Sequence, residues 1–199
     1  MKIKSAEFLK SCTSSEQFPE FEYPEFAFFG RSNVGKSSLL NMLLGKKDLV
    51  KTGSRPGVTT MINFFIVNDN KSFVDLPGFG YAKLPAPMRK KFMPLIKEYV
   101  QNRKNLKLAF MLVDIRRTPG DYEEEIIAFL TDREIPVAIT ITKSDKLSKN
   151  QRAKRIKEIE TSLGVSSDSI FLSSATTGEG KRELLSLITE MSQTSSRTD

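Results

Sequence analysis

The sequence predicts an α/β fold built on a doubly wound, mostly parallel sheet of six strands, with helices on both faces and one antiparallel strand. Short apolar segments of strand length alternate with segments whose apolar residues recur at helical spacing, which is the order of elements in such sheets. The runs 108–113 and 136–141 are almost wholly apolar, as in strands buried on both faces of a parallel sheet. Two strand-like segments flank the turn Asp69-Asn70, which predicts a hairpin and hence the antiparallel strand.

The predicted elements follow one another along a single domain that spans residues 24–191. Residues 1–23 are mixed in composition and are expected to form an N-terminal lead-in, and the polar residues 192–199 a flexible tail. The predicted strands are 26–29, 62–68, 71–76, 108–113, 136–141 and 170–172. The predicted helices are Lys36–Leu44, a segment around Pro94, and the segments 121–130, 148–164 and 179–191.

Local signals place the ends of several helices. Gly45 closes the first helix, and Ser148 with Gln151 forms a capping box for a helix that ends at Gly164. Pro94 lacks the N–H that a helix interior needs, so it is predicted to stand in the first turn of a new helix after a short one.

The composition excludes several kinds of chemistry. The chain has no histidine, which rules out histidine acid–base catalysis, Ser-His-Asp triads and histidine metal sites. Cys12 is the single cysteine, so no internal disulfide can form and a reducing cytoplasm is the expected location. No apolar run approaches the length of a membrane span, and the N-terminus lacks the apolar core of a signal peptide, so no membrane partner is expected.

The net charge of +7 is unevenly distributed along the chain. Residues 83–107 contain eight Lys or Arg and one acid, and residues 143–157 contain seven and one. Basic stretches of this kind favour a polyanionic partner, although solvated helix faces give the same pattern.

One segment joins the first predicted strand to the first helix and matches the phosphate-binding pattern G-x-x-x-x-G-K-[ST] at every position. Glycines let its backbone wrap an anion, and the helix N-terminus adds partial positive charge. Lys36 is predicted to reach the β- and γ-phosphates and Ser37 to ligate Mg²⁺. An ordinary glycine-rich turn is the alternative. The predicted phosphate-binding residues are Gly30, Arg31, Ser32, Asn33, Val34, Gly35, Lys36, Ser37 and Ser38.

A second segment, Asp75-Leu76-Pro77-Gly78, follows a predicted strand and fits the pattern D-x-x-G. The Asp75 carboxylate can hold Mg²⁺ through a water, and the Gly78 N–H can contact the γ-phosphate. A plain turn at a strand end is the alternative reading.

The loop 46–60 is long for a compact domain, and long loops are usually functional. It contains Gly57-Val58-Thr59-Thr60, in which the Thr59 hydroxyl is predicted to be a second Mg²⁺ ligand. Thr60 is the rival for that role.

Two further segments are predicted to read the base. Thr142-Lys143-Ser144-Asp145 follows the next-to-last strand, and its carboxylate can accept both guanine N1–H and N2–H₂, a pair of donors that adenine lacks. The Lys143 stem can lie over the base, and a charged turn is the alternative. The second segment, Ser173-Ser174-Ala175, follows the last strand, where backbone N–H groups can meet guanine O6.

These segments, in this order, resemble the P-loop GTPases of the translation-factor class, in the branch that includes Era, EngA and EngB. The similarity is close to the EngB family, also called YihA/YsxC, of bacterial ribosome-biogenesis GTP-binding proteins. It is carried by PEFAFFGRSNVGKSSL at 24–39, INFF at 62–65 and DLPGFGYA at 75–82, and it extends over most of the chain. The resemblance implies a GTPase G domain with GTP or GDP as ligand and Mg²⁺ as cofactor.

The resemblance also implies how the protein acts. Members of this family are linked to assembly of the large ribosomal subunit and to septation, so ribosomal RNA or a ribosomal particle is the expected partner of a monomer. Segments 46–60 and 79–89 are expected to be the switches, and the basic stretch from Lys83 begins inside the second.

Two positions depart from the common GTPase pattern. Thr142 stands where many GTPases have Asn, and Phe79 stands where many have the Gln that orients the attacking water. Because Phe79 cannot orient water, slow intrinsic hydrolysis is predicted. In relatives with this loop, an Asn at the position of Asn33 helps to hold K⁺ in place of an arginine finger, so K⁺ is an additional expected cofactor. The residues assigned to catalysis are Lys36, Asn33, Thr59 and Gly78.

Two other functions fit part of the pattern. A nucleotide-gated RNA- or ribosome-binding module without meaningful hydrolysis is compatible with Phe79. A P-loop kinase of small molecules is opposed by Asp145 and by the absence of an arginine-rich lid.

Overall fold

Seven strands of the described chain form one sheet in the computed structural model, which describes residues 1–50, 61–80 and 86–193, with the backbone alone for 86–92. The strands are β1 (Ala6–Cys12), β2 (Glu25–Gly30), β3 (Ile62–Val67), β4 (Lys71–Asp75), β5 (Leu106–Asp114), β6 (Val137–Thr142) and β7 (Ile170–Leu172). The helices are α1 (Lys36–Leu44), α2 (Ala86–Asn102), α3 (Asp121–Thr131), α4 (Lys149–Leu163) and α5 (Lys181–Met191). The order across the sheet is β1-β3-β4-β2-β5-β6-β7.

The pairing confirms the predicted α/β class. β3 pairs antiparallel with both β1 and β4, whereas the pairs from β4 through β7 are parallel. β3 is therefore the one strand that runs against the others. The predicted count of six strands is wrong, because the supposed lead-in supplies the edge strand β1.

β1 carries a weak sequence signal because it lies at the edge of the sheet. Ala6 and Cys12 are buried at its two ends, but Phe8 and Leu9 between them are 50% and 43% exposed. The register against β3 also shifts between Phe8 and Lys10. Backbone pairing with β3, rather than an alternating apolar pattern, thus places β1 in the sheet.

Pro94 lies inside a single continuous helix, α2, and does not begin a new one as predicted. The Pro94 ring is on the exposed side of α2, while Leu95, Ile96 and Tyr99 are buried in the core. We attribute the continuity of α2 to this buried stripe, which outweighs the hydrogen bond that proline cannot donate.

Two apolar layers cover the sheet. α1 and α5 pack on one face, and α2, α3 and α4 on the other. Gly45 and Gly164 end α1 and α4 in the left-handed conformation, and Gln151 accepts the Ser148 N–H at 3.0 Å, as the capping signals predicted. α5 begins two residues later than predicted because Gly180 adopts a φ of 80°. No helix within the described residues is long and apolar enough to cross a membrane.

A buried ion pair fixes the end of the sheet opposite the predicted phosphate loop. Glu25, at the start of β2, accepts bonds from Arg103 Nε and Nη2 at 3.0 and 2.8 Å, and from the Tyr99 hydroxyl at 2.7 Å. Arg103 also donates to Pro19 O at 2.9 Å and lies over the Phe21 ring. Burial and the Glu25 carboxylate raise the pKa of Tyr99 well above its usual value. The pair therefore ties α2 and the N-terminal segment to β2.

We expect Glu25→Gln to lower the free energy of unfolding by roughly 3–5 kcal/mol, because it leaves the buried Arg103 charge without its counter-charge. Urea denaturation measures the change. Glu7→Gln on β1 is the matched control, since Glu7 is exposed, and its effect should stay below about 0.5 kcal/mol. Equal stabilities of the two variants would contradict a structural role for the pair.

Candidate functional site

The loops that follow the parallel strands meet at one edge of the sheet. β2, β4, β5, β6 and β7 all point the same way, so the segments after them lie at their shared carboxyl end. In sheets of this kind ligands bind at that edge. Every predicted segment that the structure describes lies there.

The phosphate-loop pattern forms a tight turn between β2 and α1. Gly35 adopts a φ of 107°, a conformation that side chains rarely take, and α1 starts at Lys36. The first N–H groups of α1, from Lys36, Ser37 and Ser38, have no acceptor within the helix because a helix leaves its first four N–H groups unpaired. The turn therefore presents backbone donors in the manner of an anion site.

Lys36 and Asp75 form a direct, largely buried ion pair. Asp75 is the last residue of β4, and Leu76 and Pro77 after it are also buried. The contact places the phosphate-loop lysine and the D-x-x-G carboxylate in one site, and Ser37 follows Lys36 in the first turn of α1.

The D-x-x-G segment lies directly on the phosphate loop. The Ser32 N–H donates to Phe79 O at 2.8 Å, and a Cβ added at Gly78 would come within 3.1–3.2 Å of Ser32 atoms. The Phe79 side chain is 2% exposed and packs against Tyr122 of α3 at 5.8 Å between ring centroids. Phe79 thus points into the core and anchors the backbone that follows Gly78.

Arg31 contributes its backbone to the phosphate loop, but its side chain lies toward the segment after Phe79. A Cβ added at Gly80 would be 2.8 Å from Arg31 Nε, and that nitrogen is 3.8 Å from the Glu123 carboxylate. Glu123 caps α3 by accepting the Gly120 N–H at 3.2 Å, and burial raises the pKa of Glu123. The Arg31 side chain therefore faces α3.

Thr142, at the end of β6, ties the predicted base side to the phosphate loop. Its buried hydroxyl donates to Val34 O at 2.6 Å and lies 3.3 Å from Val113 O. The neighbouring Lys143 donates from Nζ to Asn33 O at 2.6 Å. Although threonine replaces the common asparagine here, its hydroxyl still makes a buried connection to this loop.

Asp145 is held by residues on both sides. It accepts the Ser174 hydroxyl at 2.7 Å and pairs with Lys146 Nζ at 2.9 Å. The hydrogen bond from Ser174 is the main cause that lowers the pKa of Asp145, with Lys146 adding to it. The Ser144 N–H donates to Ser173 O at 3.1 Å, so the two predicted base-reading segments are cross-linked. Ala175, next in the chain, is exposed.

Two residues that the sequence reading missed organise this side. Glu179 accepts the Ser144 hydroxyl and lies 3.2 Å from Arg152 of α4, through both carboxylate oxygens. Asp114, the last residue of β5, pairs with Lys143 Nζ at 2.9 Å. A signal for Asp114 was present, because a carboxylate at the end of an apolar strand is the same feature that marked Asp75.

Four predicted site residues lie outside the described residues: Gly57, Val58, Thr59 and Thr60. Most of the segment 46–60 and residues 81–85 of the second predicted switch also lie outside them. The site described here is therefore the part built on the sheet.

Comparison with known proteins places this geometry among GTPases. Residues 25–143, more than half of the chain, match the family described as 50S ribosome-binding GTPase. The probable GTP-binding protein EngB of Desulfatibacillum aliphaticivorans is 47% identical over 191 residues, which cover 96% of this chain and 93% of that protein. The probable GTP-binding protein EngB of Fusobacterium nucleatum is 44% identical over 191 residues, covering 96% and 98%.

Solved structures agree in fold. The crystal structure of a probable GTP-binding protein engB superimposes with a TM-score of 0.71 at 28% identity, over 85% of this chain and 98% of that one. The structure of Era with MgGDPNP and a segment of 16S ribosomal RNA has a TM-score of 0.64 at 24% identity, over 90% of this chain and 60% of that one. At 24% identity, the similarity to Era supports the fold alone.

Thr142→Val is expected to lower the free energy of unfolding by about 1–3 kcal/mol, because it leaves the buried Val34 carbonyl without its donor. Amide exchange across residues 33–37 should quicken at the same time. Thr142→Ser keeps the hydroxyl and should lose much less, and both variants can be compared by urea denaturation and hydrogen exchange. If Val and Ser destabilise alike, the hydroxyl bond does not hold the loop.

Proposed function

The chain belongs to the EngB family of GTP-binding proteins and is a P-loop GTPase, and we propose that it acts as a slow molecular switch in assembly of the bacterial large ribosomal subunit. The observation that best supports a switch is that its phosphate-side and base-side segments lie at one sheet edge, tied by hydrogen bonds. The matching family's description, 50S ribosome-binding GTPase, supports the large subunit as the target. The proposal places a monomer in the cytoplasm, and the link to cell division and septation derives from the resemblance.

The phosphate side is proposed to bind the GTP triphosphate through the backbone of residues 30–38 and the Lys36 ammonium. GTPases of this family use Mg²⁺, and the Ser37 hydroxyl and Asp75 carboxylate are oxygen donors of the kind it prefers. Bound Mg²⁺ would neutralise phosphate charge. Within the described residues no group of three acidic or cysteine side chains could hold a metal alone, so phosphate and water oxygens would complete the shell. Thr59 is the proposed switch ligand, with Thr60 as its rival.

The base side is proposed to select guanine through Asp145. The hydrogen bond from Ser174 and the charge of Lys146 keep the pKa of Asp145 low, so it stays an ionised double acceptor at neutral pH. The Lys143 stem and the backbone at Ser173-Ser174-Ala175 would border the base. GTP is favoured over ATP because adenine cannot supply the paired N–H donors.

Slow hydrolysis is proposed because Phe79 is buried against Tyr122 and cannot orient an attacking water. Gly78 instead offers its N–H to the γ-phosphate. Asn33 is an exposed residue of the phosphate loop with a φ of 64°, and its side-chain amide oxygen is a ligand type that K⁺ accepts. This placement supports K⁺ as the group that compensates for the missing arginine finger.

At equal ionic strength, GTP turnover is expected to be on the order of tenfold faster in KCl than in NaCl, a small part of what an arginine finger supplies. Asn33→Gly should abolish the difference. Glycine tolerates the positive φ and keeps the carbonyl that accepts Lys143, so only the side-chain amide is lost. Equal wild-type rates in the two salts, or a potassium effect that survives in the glycine variant, would count against Asn33.

Several cations of the two basic stretches can be followed among the described residues. In 83–107, Arg103 is buried against Glu25, and Lys97 pairs with Glu125 at 3.1 Å. On α4, Lys149, Lys154 and Lys157 are exposed and form no ion pair with another described residue. Arg152 and Arg155, by contrast, pair with Glu179 and Glu158.

We define the α4 basic face as Lys149, Lys154 and Lys157. We propose this face as the part of the described surface that contacts the phosphates of ribosomal RNA. The stretch from Lys83, inside the second switch, remains the proposed route by which the nucleotide state controls contact with RNA.

The triple variant Lys149→Gln, Lys154→Gln and Lys157→Gln is expected to weaken co-sedimentation with large ribosomal subunits about tenfold or more near 0.1 M salt. Its salt slope should fall by about two to three, because each of the three lysines at a phosphate contributes roughly 0.7–0.9 to that slope through counterion release. Lys2→Gln, Lys4→Gln and Lys10→Gln make the same charge change on exposed lysines near β1 and serve as the control.

Binding should also differ between GDP and a non-hydrolysable GTP analogue. Binding that ignores both salt and nucleotide, or equal losses in the two triple variants, would contradict the proposal. Multiple-turnover GTP hydrolysis with and without subunits separates the GTPase switch from a binding module that does not hydrolyse GTP.

A further inference from the structure

We propose that Asp114 is a positioning residue for the guanine nucleotide, acting by holding the Lys143 side chain against the phosphate loop. The inference rests on the nucleotide site proposed above and assigns a role to a residue outside its motifs. Asp114 ends β5, its side chain is 3% exposed, and its carboxylate is already paired with Arg116 and Lys143. Its effect would reach the nucleotide through Lys143.

The Asp114 carboxylate is saturated with donors. Its Oδ2 is 2.9 Å from Lys143 Nζ and 2.7 Å from Arg116 Nη2, and its Oδ1 accepts Arg116 Nε at 2.9 Å and the Arg116 N–H at 3.1 Å. Burial alone would raise the pKa of Asp114, but the hydrogen bonds from Arg116 and Lys143 outweigh it and hold that pKa well below its usual range. The Asp114 carboxylate therefore stays ionised and keeps a negative charge next to the Lys143 ammonium.

Lys143 is held at its tip and along its stem. Its backbone has a φ of 58°, and its ammonium bridges the Asp114 carboxylate and the Asn33 carbonyl, the latter at 2.6 Å. Along the stem, the Cε atom would lie 3.6 Å from a Cβ added at Gly35, so the side chain crosses the phosphate loop. A free lysine has many rotamers, and ordering it on binding costs entropy. Asp114 pre-orders the stem as a fixed wall beside the base, which favours binding.

Asp114 and Asp145 would then have separate tasks on the two sides of Lys143. Asp145 accepts Ser174 and Lys146 and is placed to read the edge of the base. Asp114 instead contacts the ammonium group of Lys143. Loss of Asp114 should therefore weaken binding without changing which base is preferred, whereas damage to the Asp145 side should change the preference.

A purely structural role for Asp114 is the competing explanation. Asp114 also holds Arg116, which starts the connection from β5 to α3, and its carbonyl accepts the Arg117 N–H at 2.8 Å. If Asp114 acted through that connection, Arg116→Gln would reproduce the effect of changing Asp114, and Lys143 would be irrelevant to it.

The test is a double-mutant cycle between Asp114→Asn and Lys143→Met in the full chain, with the Kd for fluorescent GDP as the readout. Each single variant is expected to bind GDP on the order of tenfold more weakly. The double variant should bind no more weakly than Lys143→Met alone, because the two residues act as one unit. Asp132→Asn, an exposed aspartate after α3, makes the same chemical change away from the site and should leave the Kd unaltered.

Three further measurements make the outcome decisive. The ratio of GDP to IDP affinity should be the same in Asp114→Asn as in the wild type, because inosine lacks only the N2 amine that Asp145 reads. Additive losses in the cycle, a loss reproduced by Arg116→Gln, or an unchanged Kd in folded Asp114→Asn would overturn the inference. If Asp114→Asn does not fold, Asp114→Glu replaces it, with a loss expected in the wild-type background and none beyond Lys143→Met. A wild-type chain that does not bind GDP would instead refute the nucleotide site itself.

Discussion

Two hydrogen bonds from the end of β6 to consecutive carbonyls of the phosphate loop set the geometry on which the proposed site depends. Thr142 donates to Val34 O, and Lys143 donates to Asn33 O. A nucleotide has a covalently fixed span between base and phosphates, so a protein that binds both ends needs them at a fixed separation. These bonds supply that separation directly, without relying on β5, the strand between β2 and β6, and the Asp114 carboxylate keeps the lysine in place.

The same loop is joined on its other side to the start of the second switch. Ser32 donates to Phe79 O, and the Phe79 ring is buried against α3. A change at the phosphates therefore has a short backbone path to the segment after Gly78. Although Phe79 cannot orient water, its buried ring fixes the backbone at the start of the second predicted switch.

The sequence predicted the fold class and the strand–turn–helix around the phosphate loop because those depend on local patterns. A strand, a glycine turn and a helix have fixed spacing, and the α1 bounds match the prediction. β1 was missed because an edge strand is held by backbone pairing and exposes Phe8 and Leu9. The helix break predicted at Pro94 was wrong because the packing of α2 in the core outweighs the one hydrogen bond that Pro94 cannot donate. Glu179 was missed because Ser144 and Arg152 are distant from it in sequence, and Asp114 because its contact with Lys143 forms only in the folded sheet.

The basic composition illustrates the same limit in electrostatic terms. A count along the chain treats every lysine and arginine alike, but a buried cation with a paired carboxylate contributes little field at the surface. Arg103 pairs with Glu25 and Arg152 pairs with Glu179, so neither guanidinium is free to bind an external anion. The α4 basic face keeps three exposed lysines on the described surface, and it follows in sequence directly after the loop proposed to read the base. Arg152, on the same helix, contacts Glu179, which in turn contacts Ser144, so polar contacts tie α4 to the proposed base site. A tally of charges along the sequence could not reveal this connection between the helix that carries the proposed RNA surface and the loop proposed to read the base.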